Sequence, residues 1–568
     1  MERIYKMRLY ITNCLLFLII NLCTPIKAQE QLRNPFNFPI VLSGNFGELR
    51  PNHFHSGIDF KTQGVEGKPV HTVNDGHISR IGVSPWGYGN VLYISHPDGT
   101  TTVYAHLQKF APNIEEYVRM KQYENESFTI NLNLTVEMFP VKRGDVIGLG
   151  GNSGNSGGPH LHFEVRDTKT EEVIDPLIYY RDRVEDTTPP RIHSVMIYPV
   201  EGEGIVNGSN KARELKLITA NNGRQTISGK IEAWGEVALG IKTFDAMNGT
   251  SNIYGVKEVV LKKDSVDIFR SDIERFSFGE TRYLNSYIDY AEWRNNNSQV
   301  IKAFTENGNR LNFVESRDRG IFNIDEERTY HLSFHLKDFH GNTRQLSVWI
   351  DGKKQDVPAI DTTGVIFFRW ISDNRFGARG VRLSIPRGNL YSDLYMRYSV
   401  REDSTALSAI HTLHDEPVPL HENAQLSLHL QHDTLENKAQ YGIIQRHRGR
   451  RTWIGGTYNN RWINANIREL GSYTIAADLK PPLITPINPA TWVKNRKIVF
   501  RLSDDLSGVS SYRGEIDGQY VLFEYDGKKG LISYTFDPER LTRGKHELLL
   551  TVTDTCGNQS EYTHTFTW

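Results

Sequence analysis

The sequence predicts an all-β chain, with a small antiparallel β domain first and β-sandwich modules after it. Three observations carry this prediction. Short runs of β-branched and aromatic residues are separated by Asp-Gly and Asn-Asp-Gly turns from Val70 onward. One stretch alone, within Pro112 to Met138, has helical character. Finally, a bracket repeats: Asp186-Thr-Thr-Pro-Pro-Arg-Ile192 and Asp478-Leu-Lys-Pro-Pro-Leu-Ile484 share D-x-x-P-P-x-I, while Asp338 to Asn342 and Asp554 to Asn558 share D-x-x-G-N.

At 568 residues the chain exceeds what one core holds, so several domains are expected. Residues 1–28 read as a secretory signal. Arg3, Lys6 and Arg8 precede an apolar run from Cys14 to Cys23, and Ile26-Lys27-Ala28 precedes Gln29 as a cleavage site. The run is too short to span a bilayer, so the protein is expected to be exported, to the periplasm, envelope or medium. Cleavage takes the formal charge from −1 to about −4, through loss of Arg3, Lys6, Arg8 and Lys27 against Glu2. A chain so balanced has no general electrostatic reason to bind nucleic acid. Cleavage also removes Cys14 and Cys23, leaving Cys556 alone and no disulfide within the mature chain.

The expected first domain covers 29–185. In it Asn90 to Ser95, the turn His96-Pro-Asp-Gly99 and Thr100 to His106 read as strand, turn, strand. Val141 to Gly150 reads as a further strand pair around a glycine turn. Between them, about 112–138 reads as a polar insertion over the face of the domain, with a short helix over Ile114 to Met120. An immunoglobulin-like module with an insertion is expected at 186–353, a β-rich module at 354–477, and an immunoglobulin-like β-sandwich at 478–568. The Pro-Pro openers make stiff extended starts, and the Gly-Asn closers supply turn residues. The closing aspartates read as turn residues too, because no dense run of oxygen ligands surrounds them in sequence. The basic cluster Arg446 to Arg451 reads as a solvated hairpin turn.

The residues that carry chemistry are His55-Ser-Gly-Ile-Asp59 and His160-Leu-His162-Phe-Glu164. On a strand, His160 and His162 share a face. Either both bind one metal, or one binds it and the other reaches a water on it. A carboxylate with two imidazoles makes a three-ligand zinc site with a fourth position open, where water is activated and a carbonyl polarised. His53 is a weaker candidate ligand, and His71, His77 and His96 read as structural. Glu164 shares the face of the two histidines, either as their support or as an inward polar residue.

Asn45 to Phe60 resembles the first motif of the lysostaphin-like (LytM-type) zinc endopeptidases. Tyr104-Ala-His106-Leu107 resembles their second, and Gly150 to Glu164 their third, all in family order. The resemblance implies a lysostaphin-type β-sheet core, one zinc held by His55, Asp59 and His162, and two catalytic histidines, His106 and His160. These two act as general base and as stabiliser of the oxyanion, in an order the resemblance leaves open. It implies cleavage of peptide bonds in bacterial cell-wall peptidoglycan, in a stem peptide or a cross-bridge. The alternative is a non-hydrolytic regulator of another cell-wall hydrolase with the same fold. The segment from Phe46 to His55 is shorter, and the 112–138 insertion longer, than is usual in the family.

Overall fold

The computed structural model describes residues 31–221, 223–402 and 406–568, so the expected signal at 1–28 lies outside the described residues. Alternation of apolar and polar residues organises the first domain. Its central path runs through β1 (Leu42–Gly44), β2 (Ile58–Lys61), β3 (Gly76–Val83), β4 (Asn90–Ser95), β5 (Thr100–Phe110) and β6 (His160–Asp167), in the order β1-β2-β6-β5-β4-β3. Every neighbouring pair on this path is antiparallel. Leu161, Phe163 and Val165 of β6 point into the core and are fully buried. The period of two therefore sends His160, His162, Glu164 and Arg166 to the opposite face.

Two segments differ from their expected form. The strands Pro140–Val141 and Val146–Gly150 do not pair with each other. The first pairs with β3, and the second with Pro69–His71 and β5. The turn between them, with Gly144 at φ 97°, carries the chain from one edge of the sheet to another. The insertion forms α1 (Pro112–Glu124), longer than the expected helix, with Pro112 in its first turn, where a missing N–H costs nothing. Ile114, Val118 and Gln122 recur every four residues and face inward. The insertion then adds the strand Ile130–Asn133 beside β3.

The remaining β structure forms further sheets. An 11-stranded sheet spans Arg191 to Gly352, and a six- and a five-stranded sheet share residues 365–477. Two four-stranded sheets over 483–567 enclose a core around Trp492, Phe500 and Tyr534. One hydrophobic core runs from Leu32 to Ile350, across the boundary expected at 185. Several segments of the second module make this continuity, among them that of Tyr254, whose hydroxyl donates to the Leu42 carbonyl at 2.9 Å. The strand Arg275–Phe276 of the module's insertion pairs with Val173–Ile174 of the first domain, and Phe276 and Phe313 pack on Phe54 at 5.6 and 5.4 Å.

The repeated brackets close alike. The Asn342 amide donates to the Asp186 carbonyl at 3.1 Å and to the Asp338 carboxylate at 2.8 Å. The Asn558 amide does the same to Asp478 and Asp554, at 3.1 and 2.7 Å. The closing turn of each module thus holds its opening segment.

Candidate metal and catalytic site

Strand register assembles the site. His162 of β6 stands opposite Asp59 of β2 on one side and Ala105 of β5 on the other. Strict alternation would turn His106 into the core beside Tyr104. Instead β5 carries a bulge: Leu92 and Asn90 of β4 face Tyr104 and Leu107, and His106 lies between at φ 60°. The extra residue turns the His106 ring to the face of His160, with centroids 4.9 Å apart, while Leu107 returns to the core. Gly57, between His55 and Asp59, admits the neighbouring strand: a Cβ there would lie 2.2 Å from the Phe163 carbonyl oxygen.

Three ligand atoms converge. His55 Nε2 lies 2.9 Å from His162 Nδ1, and Asp59 Oδ1 lies 3.1 Å from the first and 3.0 Å from the second. The other ring nitrogens define the tautomers. His55 Nδ1 donates to the Asn45 carbonyl at 2.6 Å, and His162 Nε2 donates to the Glu164 carboxylate at 2.8 Å. The converging nitrogens therefore present lone pairs, to each other and to a carboxylate oxygen. Such a set repels itself unless a cation or a proton joins it, and two imidazoles with one carboxylate suit zinc. All three residues are buried, His55 to 1%, Asp59 to 4% and His162 to 3% exposure.

The surroundings orient this set. Asp59 Oδ2 accepts from Arg50 at 2.6 Å. Glu164, fully buried, accepts from Ser56 and Tyr88 at 2.5 Å and from Arg166 Nε at 2.7 Å. Burial opposes ionisation of Glu164, but Arg166 and His162 outweigh it and hold it well below the usual carboxylate range. Burial likewise opposes a charge on His162, yet its hydrogen bonds to Asp59 and Glu164 raise it to about 9. Burial lowers His55 to about 4. A proton on His162 Nδ1 competes with a metal for that atom.

His106 and His160 flank this cluster. His106 Nδ1 donates to the Ser153 carbonyl at 2.9 Å, and His160 Nδ1 to the Gly158 carbonyl at 2.8 Å. Each imidazole thus leaves Nε2 outside that bond, and His160 Nε2 is buried without a hydrogen-bond partner, 3.6 Å from Asp59 Oδ1. Burial, with the nearby His162 and His160, lowers His106 to about 3, and burial lowers His160. Both are neutral near pH 7. Their supports come from the glycine-rich loop 151–158, where Gly154 takes φ 66°. The last module reaches the same loop: Lys528 donates to the carbonyls of Asn152 and Ser156. Tyr525 packs on Trp86 with ring centroids 6.1 Å apart.

The other histidines lie elsewhere. His53 is exposed and bonded to the Pro51 carbonyl. His71 contacts the Gly144 carbonyl and Asn37, and His96 the Asp75 carbonyl and Thr102. Sequence reasoning missed Tyr88 and Lys528, which belong to no motif and arrive through tertiary contact, and it passed over Arg50 and Ser56, which lie within the first motif. Alternation along β6 did point to Glu164.

A small antiparallel β domain with a buried His-Asp-His cluster and two more imidazoles on one face is the framework of a metallopeptidase. Residues 53–124 match the family described as peptidase family M23, and the first domain is an M23 domain of lysostaphin-like type. Residues 365–478 match a Zu5-like domain. A DD-carboxypeptidase/endopeptidase Mpg of Neisseria meningitidis is 37% identical over 20% of this chain and 20% of its own. The peptidoglycan DD-endopeptidase ShyB of Vibrio cholerae is 34% identical over 24% of this chain and 26% of its own. The chain thus matches about a fifth to a quarter of the length of these relatives. The solved catalytic domain of lysostaphin from Staphylococcus simulans is 26% identical over 25% of this chain and 92% of its own, with a TM-score of 0.19.

Proposed function

We propose that this chain is an exported zinc metalloendopeptidase that hydrolyses peptide bonds in bacterial cell-wall peptidoglycan, in a stem peptide or a cross-bridge. The observation that carries the reading is the meeting of three ligand lone pairs, from His55, Asp59 and His162, beside two neutral imidazoles. These three residues would hold one zinc. When bound, zinc supplies Lewis-acid polarisation of a carbonyl and lowers the pKa of water at its open position. The names of the Neisseria and Vibrio relatives, a carboxypeptidase/endopeptidase and a peptidoglycan endopeptidase, support the substrate class.

The chain's own groups do the rest. Glu164 and the Asn45 carbonyl keep the two ligand imidazoles in the tautomer that points a lone pair inward. His106 and His160 each present an unprotonated Nε2, because Nδ1 is engaged as a donor. One Nε2 takes a proton from the attacking water. The imidazolium so formed is a donor for the oxyanion or for the leaving amine, so the two roles share one proton.

Release of soluble muropeptides from purified sacculi tests the reading, with His162→Ala as the comparison. Release by the wild type alone is expected, and mass identification of the fragments names the bond. Equal release by both proteins would sink the zinc-enzyme reading. Stimulation of a second hydrolase with no release by this chain would favour the regulator.

A further inference from the structure

Away from the zinc-type cluster, the second module buries a group of acids, with the His340 imidazole 3.8 Å from one of them, Asp186. Asp186 opens the second module, Asp245 follows the strand Glu232–Phe244, and Asp338 follows Thr329–Lys337. Asp186 is 7% exposed, Asp245 and Asp338 are 1% exposed. Ligand atoms of Asp186, Asp338 and His340 lie within 4.8 Å of one another. Asp186 Oδ2 and Asp245 Oδ1 are buried with no hydrogen-bond partner. A lone pair buried in this way needs an explanation, and a bound ion is one.

The last module repeats the arrangement. Asp478 opens it, Asp504 follows the strand Lys497–Ser503, and Asp554 ends Lys545–Asp554. In both modules the middle aspartate follows the strand that pairs with the opening one. Ligand atoms of Asp478, Asp504 and Asp554 lie within 4.8 Å of one another, and Asp504 Oδ1 has no hydrogen-bond partner. The turn bonds use only part of each carboxylate set. Asp338 and Asp554 accept from the backbone and amide of Asn342 and Asn558. Asp504 accepts through Oδ2 from Leu506 and Gly508.

We infer that each of these two modules binds one divalent cation of the calcium class, held by Asp186 and Asp338 with Asp245 beside them in the second module, and by Asp478, Asp504 and Asp554 in the last. The chemistry of the shared donors selects the class. His340 in the second module is replaced by Cys556 at the same place in the last, so the ligands common to both are carboxylates. Carboxylate oxygens suit hard cations. Burial and the charges of Asp338 and Asp186 push Asp245 up to about 8, as expected of acids gathered without a counter-ion. The ligands come from three segments far apart in sequence, which is why no linear calcium motif marks them. Asp186 and Asp478 sit where their modules begin, so a cation at each would stiffen the junction that sets a module's direction.

Isothermal titration of calcium into the zinc-loaded full chain, with elemental analysis after dialysis, tests the inference. About two calcium ions per chain are expected. Asp186→Asn should remove one and Asp504→Asn the other, with zinc content and circular dichroism unchanged. Should Asp186→Asn fail to fold, Asp245→Asn serves instead, since Asp245 Oδ1 has no hydrogen bond to lose. A wild-type chain that takes up no calcium overturns the inference. So does a folded variant that keeps the wild-type stoichiometry.

Discussion

Lys528 of the last module donates to the Ser156 carbonyl at 3.2 Å, and the Ser156 hydroxyl lies 3.2 Å from Nδ1 of His160. The relationship joins a module more than 300 residues downstream to the orientation of one imidazole. It does so through the loop that also supports His106, by way of Ser153. The seat of the last module is equally specific. Arg119 of α1 meets Asp537 at 3.1 Å, and Arg540 lies 3.6 Å over the Tyr123 ring. The 112–138 insertion therefore docks the last module beside the loop that supports both imidazoles.

Lys528→Ala should lower turnover while zinc content stays constant. A small displacement of a catalytic group costs up to about a hundredfold in rate, and loss of one loop contact should cost of order tenfold. Steady-state kinetics on a defined peptidoglycan fragment measures it. Unchanged turnover would mean that the loop holds its shape without the last module.

The two kinds of histidine should separate in one experiment. His106→Ala and His160→Ala are expected to retain zinc and lose about 10²- to 10⁴-fold in turnover, the range for a positioned acid or base. His55→Ala should lose the metal itself, because two protein ligands remain where zinc sites use three or four. Elemental analysis beside the rate assay reads both. A His160→Ala protein with wild-type turnover would remove His160 from the chemistry.

Glu164→Gln probes the support of a ligand. The amide can still accept from His162 Nε2, but it brings no charge to make that imidazole a better donor, so zinc affinity should fall about 10- to 100-fold. Arg166, whose side chain is 6% exposed, also loses its buried counter-charge. Breaking such a pair from one side costs about 3 kcal/mol or more. Chelator competition and denaturant unfolding measure the two effects separately. A wild-type zinc affinity would reduce Glu164 to a structural partner of Arg166.

Local pattern carried much of the fold and most of the candidate site. Turn residues and alternation marked β4, β5 and β6, and H-x-H on a strand put His160 and His162 on one face. What pattern could not carry came from breaks in periodicity and from distance. The bulge at His106 is one residue out of step, so alternation alone assigns that ring to the core. Val141 and Val146 lie on strands joined by a turn, yet they pair with different partners, and a hairpin signal does not distinguish the cases. The closing aspartates read as turn residues, and they are; their meeting with the opening aspartates, and with Asp504 in the last module, depends on strand order across a whole module. Lys528 belongs to no motif, so only docking of the last module reveals it.

Asp175 yields a prediction for pH. It is 4% exposed and accepts from the Leu177 backbone at 2.9 Å, capping the short helix Pro176–Tyr179. Burial raises its carboxyl to about 7, against weaker opposition from that hydrogen bond and from Lys257. Below about pH 4 the group is neutral in both folded and unfolded chains and has no effect on stability. Between about 4 and 7 the folded chain keeps a proton that the unfolded chain releases, so stability falls as pH rises. Above about 7 the folded chain bears the whole penalty of a buried carboxylate, of order 4 kcal/mol. Asp175→Asn keeps an acceptor for Leu177 and carries no charge. The variant should therefore unfold at a higher temperature than the wild type at pH 8, and the gap should close on approach to pH 4. Thermal unfolding of both proteins across that range measures it. A gap that stays constant with pH would mean that the carboxyl ionises in the folded chain near its ordinary value.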